Sequence, residues 1–153
     1  ITDTLLIMFC LVYRSTAQLA FKTVDVKEML EKARFSNSRD NITGCLLYYE
    51  GEFIQYLEGN QIKVLNLFDK IKADKRHKDI SILAHGITDS REFKDWEMAY
   101  ADYFGDNDQI NYFRLLLDSY EEMEDSSIHP NPSFNAFWIA VRENLGKPLA
   151  SQP

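Results

Sequence analysis

Three polar side chains stand where the surrounding sequence is apolar. Gln55 sits in the middle of FIQYL (53–57), Tyr13 closes the run LLIMFCLVY from Leu5 to Tyr13, and Asn37 ends a helical stretch. A buried amide or hydroxyl without a partner costs about 1–3 kcal/mol in mutational data, so each of these groups must find a hydrogen bond. Taken singly, each is accounted for by nearby backbone groups. Taken together, a phenol and two carboxamides supply donors and acceptors at once. Other constellations are weak. His77, His85 and His129 do not form a zinc or helical metal pair, and no Gly-x-Ser-x-Gly, phosphate loop or Gly-x-Gly-x-x-Gly occurs. Glu50, Glu52 and Glu58 cluster near one turn, where carboxylates are ordinarily just solvated. Cys10 and Cys45 lie in apolar runs without a Cys-x-x-Cys spacing and read as small buried hydrophobes in a reducing compartment.

The elements that carry these residues follow from periodicity. Leu5 to Tyr13 is a continuous apolar run of strand length, expected as a central strand buried on both faces. Asp25 with Glu28 reads as a capping box, and Val26, Met29, Leu30 and Ala33 mark the buried side of a helix of about three turns. The run NSRDN from Asn37 to Asn41 is expected to break it. Ile42 to Tyr49 and Phe53 to Leu57 are strands joined by a tight Glu50-Gly51-Glu52 turn, a hairpin. Asn60 can cap the next helix, whose apolar face is Val64, Leu67, Phe68 and Ile71. Ile80 to Ile87 reads as a fourth strand, and Phe93 to Tyr100 can hold a fifth.

The order predicts an α+β fold, a ferredoxin-like βαββαββ core with two right-handed crossover helices on one face. Residues 1–101 make the core. Residues 102–153 form an extension with two appended helices, Ile110 to Tyr120 and Asn135 to Leu145, expected to pack on the open face of the sheet. Tyr112, Phe113, Phe137 and Trp138 either form an association surface or dock on that sheet.

Composition narrows the class. With 153 residues, 45% hydrophobic and 27% charged, the chain suits one globular core. A net charge of −7 argues against direct nucleic-acid binding. The basic run from Lys70 to Lys78 suits either one small anion or a solvated helix end. No apolar stretch is long enough for a membrane span, and none reads as a signal peptide, so the cytoplasm is expected.

The motifs in order are Tyr13-Arg14-Ser15 after an apolar strand, Asn37 followed by Ile42-Thr43-Gly44, and Gly51-x-Phe53-x-Gln55-x-Leu57-Glu58-Gly59. Asp74-x-Arg76-His77 and Phe93-x-x-Trp96-x-Met98 complete the series. This series resembles the BLUF family, sensors of blue light using FAD, over about Leu5 to Tyr100. The resemblance implies a flavin held between the two crossover helices, with Met29 and Ile71 as apolar walls and Asn37 on the carbonyl and N3–H edge. Lys70, Arg76 and His77 would face the phosphate tail, with Asp74 capping or orienting that loop. Many family members carry Arg where this chain has Lys70, and Ser36 stands where another polar group is common. FAD is the family's usual ligand, while the residues themselves leave FMN and riboflavin open.

The resemblance further implies photochemistry without turnover. Light would drive an electron and a proton from Tyr13 to flavin and back, leaving Gln55 rotated or tautomerised. Trp96 and Met98 would relay that change by exchanging places near Gln55, although both also suit simple packing. Output would reach a partner by association, through a homo-oligomer, a separate downstream signalling protein, or both. The competing readings are a flavin-dependent redox enzyme and a flavin-free ferredoxin-like interaction module.

Overall fold

The computed structural model describes residues 7–18, 23–49, 51–93, 98–102 and 131–145. In chain order the elements are β1 (Met8–Ala17), α1 (Thr23–Asp40), β2 (Thr43–Tyr49), β3 (Glu52–Asn60), α2 (Gln61–Ala73), β4 (His77–Ile87), β5 (Ala99–Asp102) and a C-terminal helix, α3 (Pro132–Leu145). The strands form a single sheet in the order β4-β1-β3-β2-β5. Contacts among β4, β1, β3 and β2 are antiparallel, and β5 joins β2 in parallel. Each crossover therefore skips one strand, as a ferredoxin-like α+β core requires. Among the described residues no helix is long and apolar enough to cross a membrane.

Side chains alternate across the sheet. One face carries Phe9, Leu11, Tyr13, Leu46, Tyr48, Phe53 and Leu57, and it packs with Leu30 of α1 and with Val64 and Phe68 of α2. The other face carries Cys10, Val12, Cys45, Leu47, Ile54 and Tyr56, all buried. There the ring of Tyr56 meets Phe93, Phe134 and Phe137 at centroid distances of 5.4, 5.8 and 5.9 Å. Phe137, open to two readings from sequence, is thus fully buried beneath the sheet. The helix expected at 110–120 lies outside the described residues, as do Tyr112, Phe113 and the side chain of Trp138.

Several boundaries differ from expectation, each for a local reason. β1 does not end at Tyr13 but continues to Ala17. Its polar end is held because Arg14 pairs with Glu52 across the ladder at 2.8 Å and Ser15 meets His77 at 2.7 Å. α1 has 18 residues rather than three turns. NSRDN does not break it at Asn37, since the helix runs to Asp40 and stops at Asn41, whose φ is 56°. The Asn37 carbonyl then accepts the amide of Ile42 at 2.8 Å, as helix C-termini need. Asp25 falls within the first turn rather than at the cap. β4 begins at His77, three residues before the expected Ile80, through a register irregularity against β1 and a positive φ of 54° at Asp79. β5 is only four residues long and starts after Met98.

Asn60 does cap α2, its side-chain oxygen accepting from the amides of Ile62 and Lys63 at 3.1 and 3.2 Å. Gly44 is forced by strand approach, because a β-carbon there would lie 1.9 Å from the Tyr56 carbonyl oxygen. Gly51 turns the hairpin with φ 84°, a conformation glycine adopts without penalty.

Candidate functional site

Tyr13 and Gln55 are direct cross-strand partners on the helix-covered face. β1 and β3 are neighbouring inner strands of the sheet, which places a phenol and a carboxamide on the floor of the core. The Tyr13 hydroxyl donates to Gln55 Oε1. Gln55 Nε2 in turn points to Met98 Sδ at 3.4 Å, a weak bond to a soft acceptor. All three residues are buried, Tyr13 at 3%, Gln55 at 8% and Met98 at 1% exposure. Burial pushes the Tyr13 phenol well above its ordinary pKa, and the negative charge of Asp74 adds to the shift. Tyr13 is therefore held in its neutral, hydrogen-bond-donating form. Phe68 packs against that ring at 5.4 Å.

A cleft of about 380 Å³ opens above this pair, between α1, α2 and the sheet. Met29, Ala33, Ser36 and Asn37 enter it from α1, spaced so that they share one side of the helix. Leu67, Lys70 and Ile71 enter from α2 in the same way. Asn37 in this lining is only 2% exposed, whereas Lys32 and Lys70 are exposed. Asp74 and Arg76 also line the cleft and grip each other, with Arg76 Nε 3.0 Å and Nη2 2.5 Å from the carboxylate. That contact holds the Asp74 carboxyl below its usual range.

His77 lines the cleft too, but its ring nitrogens are both engaged by the protein. Nε2 lies 2.6 Å from the Ile71 carbonyl oxygen, which can only accept, so Nε2 carries a hydrogen; Nδ1 lies 2.7 Å from Ser15 Oγ. The ring thereby ties β4 to the end of α2. The structure thus gathers Tyr13, Met29, Asn37, Gln55, Lys70, Ile71, Asp74, Arg76, His77 and Met98 around one space. Trp96 lies outside the described residues.

Sequence reading missed several contributors. Lys32 lines the cleft one turn from Met29, and helical spacing alone could have found it. Arg34 reaches the Met98 carbonyl oxygen at 3.0 Å. Glu58, fully buried, accepts from the amides of Glu92 and Phe93 and from Thr43 Oγ1, each at 2.8 Å. Arg91 supports the same cluster through Thr43 Oγ1 and the Asn41 carbonyl. These contacts fasten the connection that runs from β4 toward Met98.

A cleft lined by apolar side chains, two buried carboxamides and exposed cations suits a flat, polar-edged ring that bears a phosphate tail. Residues 8–99 match the family described as BLUF, sensors of blue-light using FAD. Photoactivated adenylate cyclase subunit alpha of Euglena gracilis is 37% identical over 86 residues, covering 56% of this chain but only 8% of that protein. Among solved structures, the dark state of BlrB, a BLUF protein, superposes with a TM-score of 0.64 at 28% identity, covering 90% of this chain and 98% of that one. The BlsA ground state gives 0.62 at 27% identity, over 95% and 89%. The cleft, the fold that builds it and the matched residues agree: this chain belongs to the BLUF family of flavin-based blue-light sensors, which use FAD.

Proposed function

We propose that the chain is a photoreceptor in which light acts on the Tyr13–Gln55 pair and the altered Gln55 hydrogen bonds are the signal. The observation that carries this reading is the phenol-to-carboxamide hydrogen bond on the floor of a cleft of about 380 Å³. Met29 and Ile71 would clamp the faces of the ring system, and Asn37, able both to donate and to accept, would bind its carbonyl and N3–H edge. Lys70, with Arg76 and His77, would face the phosphate tail, and Asp74 fixes the orientation of Arg76. Flavin bound there supplies absorption of blue light and, once excited, an acceptor for an electron from a nearby phenol. An oxidised phenol is a strong acid, so Tyr13 releases its proton along the existing bond to Gln55 Oε1. When electron and proton return, Gln55 remains rotated or tautomerised. Its bonds to Tyr13 and Met98 are then exchanged for new ones.

Residues 1–101 act as the sensing core and 102–153 as the extension that hands the signal on. Since the Euglena relative is a photoactivated cyclase subunit, the output here is also assigned to a protein partner, reached by association with another chain or with a second copy. A cytoplasmic setting suits Cys10 and Cys45, both free and buried, whose thiols burial pushes up in pKa.

The test is a spectrum. The purified protein is expected to be yellow and to shift its flavin bands reversibly to longer wavelength under blue light. Tyr13→Phe and Gln55→Leu are each expected to bind flavin and lose that shift. A normal photocycle in either variant sinks the assignment.

A further inference from the structure

Met98 meets Gln55 through its thioether, yet methionine has three rotatable side-chain bonds and is a poor positioning device unless its backbone is fixed. Two contacts fix it. On the C-terminal side, Ala99 enters β5 and pairs with Cys45 of β2. At Met98 itself, Arg34 Nε donates to the carbonyl oxygen at 3.0 Å. Arg34 comes from α1, one turn before Asn37, so the helix that contributes a buried carboxamide to the cleft also grips the residue beside Gln55. A guanidinium on a carbonyl is a charge-assisted bond, stronger than a neutral one, and this one is half-buried.

We propose that Arg34 is a positioning residue for the photoresponse. By holding the Met98 backbone it keeps Sδ against Gln55 Nε2, and so biases the carboxamide toward the orientation with Oε1 on Tyr13 before illumination. The inference rests on the Tyr13–Gln55 reading, and it adds a group that touches neither flavin nor Gln55. Three contacts run in series: guanidinium to Met98 carbonyl, Met98 sulfur to Gln55 amide, Gln55 oxygen to Tyr13 hydroxyl. Without the first link the second is no longer enforced, and the amide loses a bias that distinguishes its two orientations. Part of the population then adopts the altered orientation in darkness.

The experiment compares the flavin-loaded full chain with Arg34→Met, which keeps the length and apolar stem, and with Arg34→Lys, which keeps a cationic donor. In Arg34→Met the dark spectrum is expected to move partway toward the illuminated one. The light-minus-dark amplitude should fall, because losing one weak hydrogen bond changes the ratio of the two orientations about threefold. Arg34→Lys should recover most of the amplitude. A merely structural arginine would change melting temperature or flavin retention and leave the amplitude per bound flavin alone. Met98→Leu removes the sulfur, so adding Arg34→Met to it should change the amplitude no further. Full additivity in that pair overturns the proposal, as does an unchanged amplitude in Arg34→Met. Should Arg34→Met lose flavin, the same criteria apply to Arg34→Lys, alone and combined with Met98→Leu, with a smaller expected loss. A parent that binds flavin and never shifts removes the Tyr13–Gln55 reading itself. A parent that shifts, beside an Arg34→Met variant that shifts identically, removes only the role of Arg34.

Discussion

Each face of the sheet buries a tyrosine against a carboxamide. On the helix-covered face Tyr13 donates to Gln55. On the far face Tyr56, the next residue along β3, accepts from Asn131 Nδ2 at 2.5 Å. Burial pushes both phenols upward in pKa, with Asp74 adding to the first and Glu58 to the second. The surroundings separate them. Tyr13 borders a cleft between two helices, while Tyr56 is closed in by Phe93, Phe134 and Phe137 beneath α3. Asn131 also caps α3, its Oδ1 accepting from the Phe134 amide at 3.0 Å. A tyrosine–carboxamide pair is therefore not a photochemical site by itself. On the proposed reading, adjacent space for an oxidant would make it one, and without that space the same groups act as a fastening.

Phe137 has no exposed surface. If the far face is a packed anchor, Phe137→Ala opens a cavity there and costs about 3–5 kcal/mol, read from denaturant titration. The flavin shift should persist in whatever fraction remains folded. A loss below about 1 kcal/mol would mean that the aromatic cluster contributes little to stability, contrary to the packing described.

Glu58 sharpens the contrast through pH. Its buried carboxylate gathers two amides and one hydroxyl. A glutamine there can turn only one oxygen to three donors, so Glu58→Gln should cost about 1.5–3 kcal/mol. Burial raises the Glu58 carboxyl above 4.5, against the opposing pull of the donors and Arg91. With the folded pKa above the unfolded one, the folded chain binds the proton first. The stability linked to that proton is fully present below about pH 4.5 and is lost as pH rises through the folded value. The parent should accordingly gain on Glu58→Gln as pH falls toward 4.5. A gap that instead widens as pH rises would show that the three donors and Arg91 outweigh desolvation.

Much of this arrangement was legible because it rests on residue type at a fixed period. Alternation in FIQYL puts Gln55 between Phe53 and Leu57 on one face, and apolar spacing on α1 and α2 foretells the cleft walls. The strand ends were not legible. Arg14, Ser15 and Thr16 look like loop residues until Glu52 and His77 arrive from other elements to hold them. The basic run ending at Lys78 suits a small anion or a solvated helix end, yet its last two residues open β4 at the edge of the sheet, where charged side chains are tolerated. Arg34 could not have been found from type or period, because its partner is a backbone carbonyl 64 residues away. Side chains that read the backbone leave no complementary residue in the sequence to betray them.

The smallest effect is the most discriminating. Tyr56→Phe removes one hydroxyl from the sealed face and should cost about 1 kcal/mol, visible as a modest fall in the denaturation midpoint. Tyr13→Phe removes the same hydroxyl one strand away and should cost a similar amount. The two variants should nevertheless differ completely in light: Tyr56→Phe keeps the reversible red shift and Tyr13→Phe has none. Matched stability with opposite photoresponse would assign the chemistry to the cleft and not to the phenol as such. Loss of the shift in Tyr56→Phe would instead mean that the two faces are coupled through β3, where Gln55 and Tyr56 share a peptide bond, so that loosening the α3 cap is enough to misplace the carboxamide on the other side.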